Sequence, residues 1–219
     1  PVVAETYDGV LNDINGFHVT DAHVFEALDS AASGPLDLGS IGGGTGMICY
    51  DYKGGSGSAS RLVRIGGAEF TVGVFVQANF GLREELTILG RNIGGINLEG
   101  RLRHKPVGSI IAIVATDAPL MPHQLKRLAR RVPMGLARTG TVGHHGSGDL
   151  FLAFSTANEI ALSGRSSEFQ ILPPASIDPL FTAVAEATEE AVIDSMVANV
   201  TMVGRDGNIC IGLSADLLR

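Results

Sequence analysis

The stretch SIIAIVAT, residues 109–116, decides how the rest of the chain is read. It is nearly continuous apolar sequence, the signature of a strand covered on both faces. Directly before it, EGRLRHKPVG at 99–108 is polar and basic, and the passage from Lys105 and Pro106 to Ile110 is the sharpest composition break in the chain. Toward the N-terminus, FTVGVFVQ (70–77) alternates Phe70, Val72, Val74 and Val76 with Thr71, Gly73, Phe75 and Gln77, which predicts a second strand. Toward the C-terminus, HQLKRLARR (123–131) spaces Leu125, Leu128 and Ala129 as a helix, which Pro133 should kink or restart. LFLAFSTAN (150–158) reads as another buried strand, after a loop at 139–149.

Further out, Asp178-Pro179 opens a long helix, with the acid at the cap and proline at the first helical position. GRDG (204–207) is a hairpin turn before a last strand in NICIGL. DAHVFEALDSAA (21–32) predicts a short helix capped by Thr20 or Asp21, with Val24, Ala27 and Leu28 on one face. Residues 39–61 are so rich in glycine that a long loop is expected, because each glycine adds backbone entropy that ordering must remove. No internal repeat or clean linker interrupts the 219 residues. Buried strands with helices outside predict one α+β domain of layered sheets over 1–219.

Composition narrows the function. The chain is 45% hydrophobic and 18% charged, which excludes a disordered tail. A net charge of −7, no tryptophan and 5% aromatics argue against wrapping nucleic acid. No apolar run approaches the roughly 20 residues of a membrane span, and no basic-then-apolar leader opens the chain. Cys49 and Cys210 lie far apart without a C-x-x-C and read as small buried hydrophobes of a reducing, cytoplasmic compartment; a disulfide between them is the minority alternative.

The familiar site patterns fail one by one. Gly42-Gly43-Gly44-Thr45-Gly46 lacks the Lys-Ser/Thr of a phosphate loop, and Met47 stands where a dinucleotide fingerprint needs its last glycine. His144 and His145 are adjacent with no third ligand nearby, so no metal is assigned. Around Ser147, His145 and Asp149 occupy the two glycine places of a nucleophile elbow. Ser109 differs: it follows Gly108 where an exposed basic segment enters a buried strand. If the Gly108–Ser109 bond were cut, the new α-amine, titrating near 7.7–8, could deprotonate its own residue's hydroxyl.

Five blocks strengthen that reading: PVVAETYDGVLNDINGFHV (1–19), GGGTGMICYDYKGGSGSASR (42–61), VFVQANFG (74–81), PVGSIIAIVATDAPLMPHQLKRLARR (106–131) and GSGDLFLAFSTAN (146–158). Together they resemble the self-processing serine aminopeptidases, the D-aminopeptidase and β-peptidyl aminopeptidase family with an N-terminal-nucleophile-like active site. The resemblance implies a four-layer αββα sandwich whose connectivity differs from true N-terminal-nucleophile hydrolases. It also implies a precursor cut into two subunits, here 1–108 and 109–219, assembled as a homo-oligomer of processed pairs.

Residue by residue, the resemblance makes Ser109 the nucleophile and Asn79 the oxyanion-hole amide. Tyr7 becomes a second hydroxyl donor and Ser147 a serine that orients the nucleophile region. Glu5 and Asp149 become carboxylates for the substrate's free ammonium. The implied substrates are small peptides or amino acid amides with a free amine, hydrolysed without metal or organic cofactor. The β-peptidyl branch carries glutamate where this chain has Asp149, one methylene shorter. Two alternatives stay open: acyl transfer of the ornithine acetyltransferase type, which uses threonine at the cut, and a catalytically silent fragment. Resembling chains also carry a sizeable segment ahead of the ETYDG block. A chain without it is expected to lack strands of its sheet and a wall of its cleft.

Overall fold

A computed structural model describes residues 3–96, 100–102, 108–158 and 168–218. Most of the basic segment expected at 99–108 lies outside the described residues. The strands are β1 (Ile48–Cys49), β2 (Tyr52–Lys53), β3 (Gly55–Ile65), β4 (Ala68–Asn79), β5 (Thr87–Ile88), β6 (Arg91–Asn92), β7 (Ser109–Thr116), β8 (Leu150–Ser155), β9 (Met202–Val203) and β10 (Ile209–Cys210). The helices are α1 (Asp21–Asp29), α2 (Pro122–Ala129), α3 (Val132–Arg138) and α4 (Asp178–Val197).

One four-stranded sheet, ordered β3-β4-β7-β8, organises the described residues. A two-residue loop, Gly66-Gly67, joins β3 to β4; both glycines have positive φ (+56° and +84°), as the tight turn between twisted antiparallel strands requires. β4 runs antiparallel to β7, and β7 parallel to β8, with α2 and α3 in the crossover. Alternation puts Val72, Val74, Val76 and Ala78 on one face of β4, opposite Thr116, Val114, Ala112 and Ile110 of β7. These apolar side chains are buried under α4, where Leu180, Val184, Ala187, Ala191 and Val192 meet them. Each fully buried valine or isoleucine contributes roughly 1.5–3 kcal/mol. Small residues let the layers approach closely: a Cβ on Gly57 of β3 would come 1.9 Å from the Ala191 carbonyl oxygen.

The α+β class is realised. Of the four expected layers, the described residues supply a helix layer and a sheet layer, accompanied by three two-stranded ribbons, β1–β2, β5–β6 and β9–β10. Three local expectations are corrected. The glycine-rich stretch 39–61 is not one loop: it contains β1, β2 and the first half of β3. α1 forms where expected, but none of its residues is buried, so Val24 and Leu28 face outward. β8 is an edge strand rather than a buried one, with Leu150 and Phe154 exposed. The long helix starts at Asp178 with Pro179 in its first turn, although Ile177 is its cap residue.

Candidate active site

The register of β4 and β7 sets Asn79, the last residue of β4, directly opposite Ser109, the first residue of β7. Because paired residues of antiparallel strands point to the same side, both stand on the face away from α4, at one end of the sheet. Gly108 precedes Ser109 with φ +120°, a conformation that favours glycine. The Gly148 N–H donates to Ser109 Oγ at 2.9 Å, so the 139–149 loop touches the nucleophile candidate directly.

Asn79 is fully buried and its amide is held at both ends. Its Oδ1 accepts from the Ile48 N–H at 2.9 Å, and its Nδ2 donates to the Tyr7 carbonyl oxygen at 2.7 Å. This pattern fixes which end of the amide is the donor. Gln77, two residues earlier and on the same face, donates from Nε2 to Thr6 Oγ1 at 3.0 Å, and Thr6 donates to Met47 Sδ. The segment around Thr6 and Tyr7 and the turn around Met47 and Ile48 are thus stitched onto the Ser109 end of the sheet.

The other sequence candidates are placed unequally. Asp149 Oδ1 accepts from the Ile110 N–H at 3.1 Å and from the Ser147 hydroxyl. Ser147 therefore reaches the start of β7 through Asp149. Tyr7 is half-exposed, and its phenol lies back over Gly9, where a Cβ would meet its oxygen at 2.6 Å. Glu5 is exposed and forms no hydrogen bond or ion pair with the other candidates among the described residues. Among the described residues no group of three or more His, Cys, Asp and Glu could hold a metal ion.

Several supports escaped the sequence reading. The 139–149 loop is anchored where His144 Nε2 meets Glu85 Oε1 at 2.7 Å, and where the Tyr50 hydroxyl meets Thr139 Oγ1 (2.7 Å) and the Thr141 N–H (3.1 Å). Burial pushes the Tyr50 hydroxyl pKa upward, so it remains a proton-bearing bridge. Tyr50 and Asp51 form the β1–β2 turn with positive φ (+50° and +59°), where glycine or asparagine would be the usual choice. Their side chains compensate: Tyr50 through Thr139, and Asp51 through the buried Arg83 guanidinium. Lys53 is fully buried; its Nζ donates to the carbonyls of Gly44 (3.1 Å), Met47 (3.1 Å) and Gly54 (2.6 Å). None of these pairings has a sequence signature, since each joins residues whose proximity depends on the fold.

The chain is similar to known proteins over most of its length. The chain is 46% identical over 94% of its length to the β-peptidyl aminopeptidase BapA of Sphingosinicella microcystinivorans, covering 57% of that protein. It is 44% identical over its whole length to BapA of Sphingosinicella xenopeptidilytica, covering 58% of it. The structure superposes on the L-aminopeptidase D-Ala-esterase/amidase of Ochrobactrum anthropi with a TM-score of 0.90 and 47% identity, covering 97% of this chain and 59% of that one. That enzyme is described as a prototype for the serine aminopeptidases and a new variant among the Ntn hydrolase fold. The chain thus spans somewhat under three fifths of the length of these curated relatives. The family model of peptidase family S58 matches residues 1–210. With Ser109 and Asn79 paired at the end of a sheet that superposes on a serine aminopeptidase, this chain belongs to peptidase family S58.

Proposed function

We propose that the chain carries the reaction centre of a self-processing serine aminopeptidase or amidase, with Ser109 as both the residue at the cut and the nucleophile. The observation that carries this is the Asn79–Ser109 register, which sets an oriented amide opposite a hydroxyl that follows a positive-φ glycine. In the first phase Ser109 Oγ attacks the Gly108 carbonyl carbon, the Ser109 nitrogen leaves as an amine with the hydroxyl's proton, and water hydrolyses the resulting ester. Subunits 1–108 and 109–219 result.

In the second phase the freed α-amine takes the Oγ proton as Oγ attacks a substrate carbonyl. An amine near pKa 7.7–8 suits that task at neutral pH. Asn79 Nδ2 donates to the developing oxyanion, an interaction typically worth 10²–10³ in rate. The proton passes to the departing amine, and water releases the acyl group. Ser147 holds Asp149 against β7, Tyr7 supplies a second hydroxyl, and Asp149 with Glu5 receives the substrate's ammonium. The substrates are small peptides, amides or esters with a free amine.

Two further assignments follow the same reading. The apolar surface left outside by α1 (Val24, Phe25 and Leu28) supports assembly into an oligomer of processed pairs. Cys49 and Cys210, buried and not joined in a disulfide, support a reducing compartment such as the cytoplasm. Among the described residues no helix is long and apolar enough to cross a membrane. The deciding experiment is denaturing mass spectrometry of the parent and of Ser109→Ala: two pieces split at 108/109 for the parent, one intact chain for the variant. A cut S109A chain would refute the proposal.

A further inference from the structure

We infer that Lys53 is a positioning residue for the chemistry proposed above: its ammonium locks the turn from Gly44 to Ile48, so that the Ile48 N–H holds the Asn79 amide in its working orientation. The inference rests on the S58 reading of Asn79. Its geometry stands independently of any turnover.

Lys53 Nζ offers three N–H donors, and three backbone carbonyls converge on it: Gly44, Met47 and Gly54. Two of these carbonyls belong to the turn itself. Gly44 O also accepts from the Met47 N–H at 3.3 Å, and Met47 O from the Gly54 N–H at 3.0 Å. The ammonium therefore ties together both sides of a turn in which Met47 and Ile48 are packed in the core while Gly44 and Gly46 carry no side chain to fix the backbone between. Lys53 pairs in register with Ile48, and the Ile48 N–H is the donor to Asn79 Oδ1 at 2.9 Å. The Met47 carbonyl that Lys53 grips and the Ile48 N–H that orients Asn79 are the two ends of one planar peptide group.

An apolar side chain would fill the same volume without desolvating a charge. Burial pushes the Lys53 pKa down to about 8, the signature of an ammonium kept in a place that disfavours it. The three carbonyl dipoles face the ammonium directly, and the Cys210 and Cys49 side chains nearby oppose the downward shift. A planar guanidinium cannot direct three donors at one convergent set of carbonyls, which distinguishes this site from one that would accept arginine.

The test uses the full chain as K53M, N79A and the double variant, with K53Q as a second probe of the same contact. The Asn79 side-chain amide and Ile48 backbone amide are followed by ¹⁵N NMR. The rate of cutting at 108/109 and the kcat and KM on an amino acid p-nitroanilide are measured alongside. The expected result is a folded K53M, judged by unmoved α4 signals, in which the Asn79 and Ile48 signals shift. Its kcat should fall about 10–100-fold with little change in KM, as misplacement of a reacting group does. K53M should lose nothing further in the N79A background, and K53Q, keeping two donors, should recover part of the loss. If K53M does not fold, K53Q carries the comparison. Unmoved Asn79 and Ile48 signals in a folded variant, or losses that multiply in the double variant, would overturn the inference. An inactive parent would count against the S58 reaction instead, and the spectra would still decide the Lys53 contact.

Discussion

β7 and the glycine-rich stretch 39–61 both border Asn79, and they reach their structures by opposite routes. β7 needs little instruction beyond its own composition: Ile110, Ala112 and Val114 face the helices fully buried, and the other face is at least half-covered along Ser109–Thr116. The 39–61 stretch also buries Met47, Ile48, Cys49, Tyr50 and Tyr52, but its glycine-rich backbone is held in addition by polar groups buried beside it. Lys53 grips three of its carbonyls, Ser56 N–H and O bond to Gly39, and Asn199 Nδ2 reaches the Gly54 carbonyl. The difference teaches that one end of a sheet can join a strand held by burial to a turn held by burial and hydrogen bonds together, and that the two should fail differently.

The largest effect expected on this contrast is chemical. Ser109→Ala should abolish cutting and hydrolysis while leaving the denaturation midpoint nearly unchanged, because Ser109 lies at the rim of β7. A collapse of stability on removing one hydroxyl would break the separation between chemistry and burial. Asn79→Ala should lower kcat on a p-nitroanilide by about 10²–10³; a smaller loss would move the oxyanion role elsewhere in the site.

Next come the stability effects. Gly57→Ala should destabilise by about 1–3 kcal/mol in denaturant titration, since its methyl meets the Ala191 carbonyl and must push β3 off α4. A neutral result would mean the glycine-rich strand is not held against the helix. Lys53 gives the contrast a pH signature. Its pKa near 8 in the fold lies below the ordinary 10.5, so between those values the unfolded chain binds more protons and stability gains with rising pH. The stability of the parent relative to K53M should therefore rise across that window and be flat below it, read as a difference of urea midpoints. Ile110→Val should cost only about 0.5–1.5 kcal/mol and leave kcat unaltered, the smallest change of the set.

Much of the sheet was legible in the residues. Alternation marked β4, continuous apolarity marked β7, and Pro133 and Pro179 marked where helices restart or begin. The two strongest site candidates were named in advance too, Ser109 and Asn79, both through the resemblance carried by the blocks PVGSIIAIVATDAPLMPHQLKRLARR and VFVQANFG. Strands β1 to β3 were not legible in a stretch so rich in glycine, because the groups that cover and fix them, such as α4 and Asn199, are distant in the chain even though their strand pairing is local. The outward face of α1 and the edge position of β8 were equally hidden, since periodicity says which residues share a face and not what covers it.

The sequence by itself determined the α+β class and the strand that begins at Ser109, and through its resemblance to a family it pointed to Ser109 as a candidate nucleophile. Those depend on local composition and on the order of residues along the chain. Only the tertiary structure decided that Asn79 stands opposite Ser109, that Gly148 donates to the serine hydroxyl, and that a buried lysine closes the turn orienting the amide. Register and buried hydrogen bonds are properties of pairs brought together by folding, and no single segment encodes its partner.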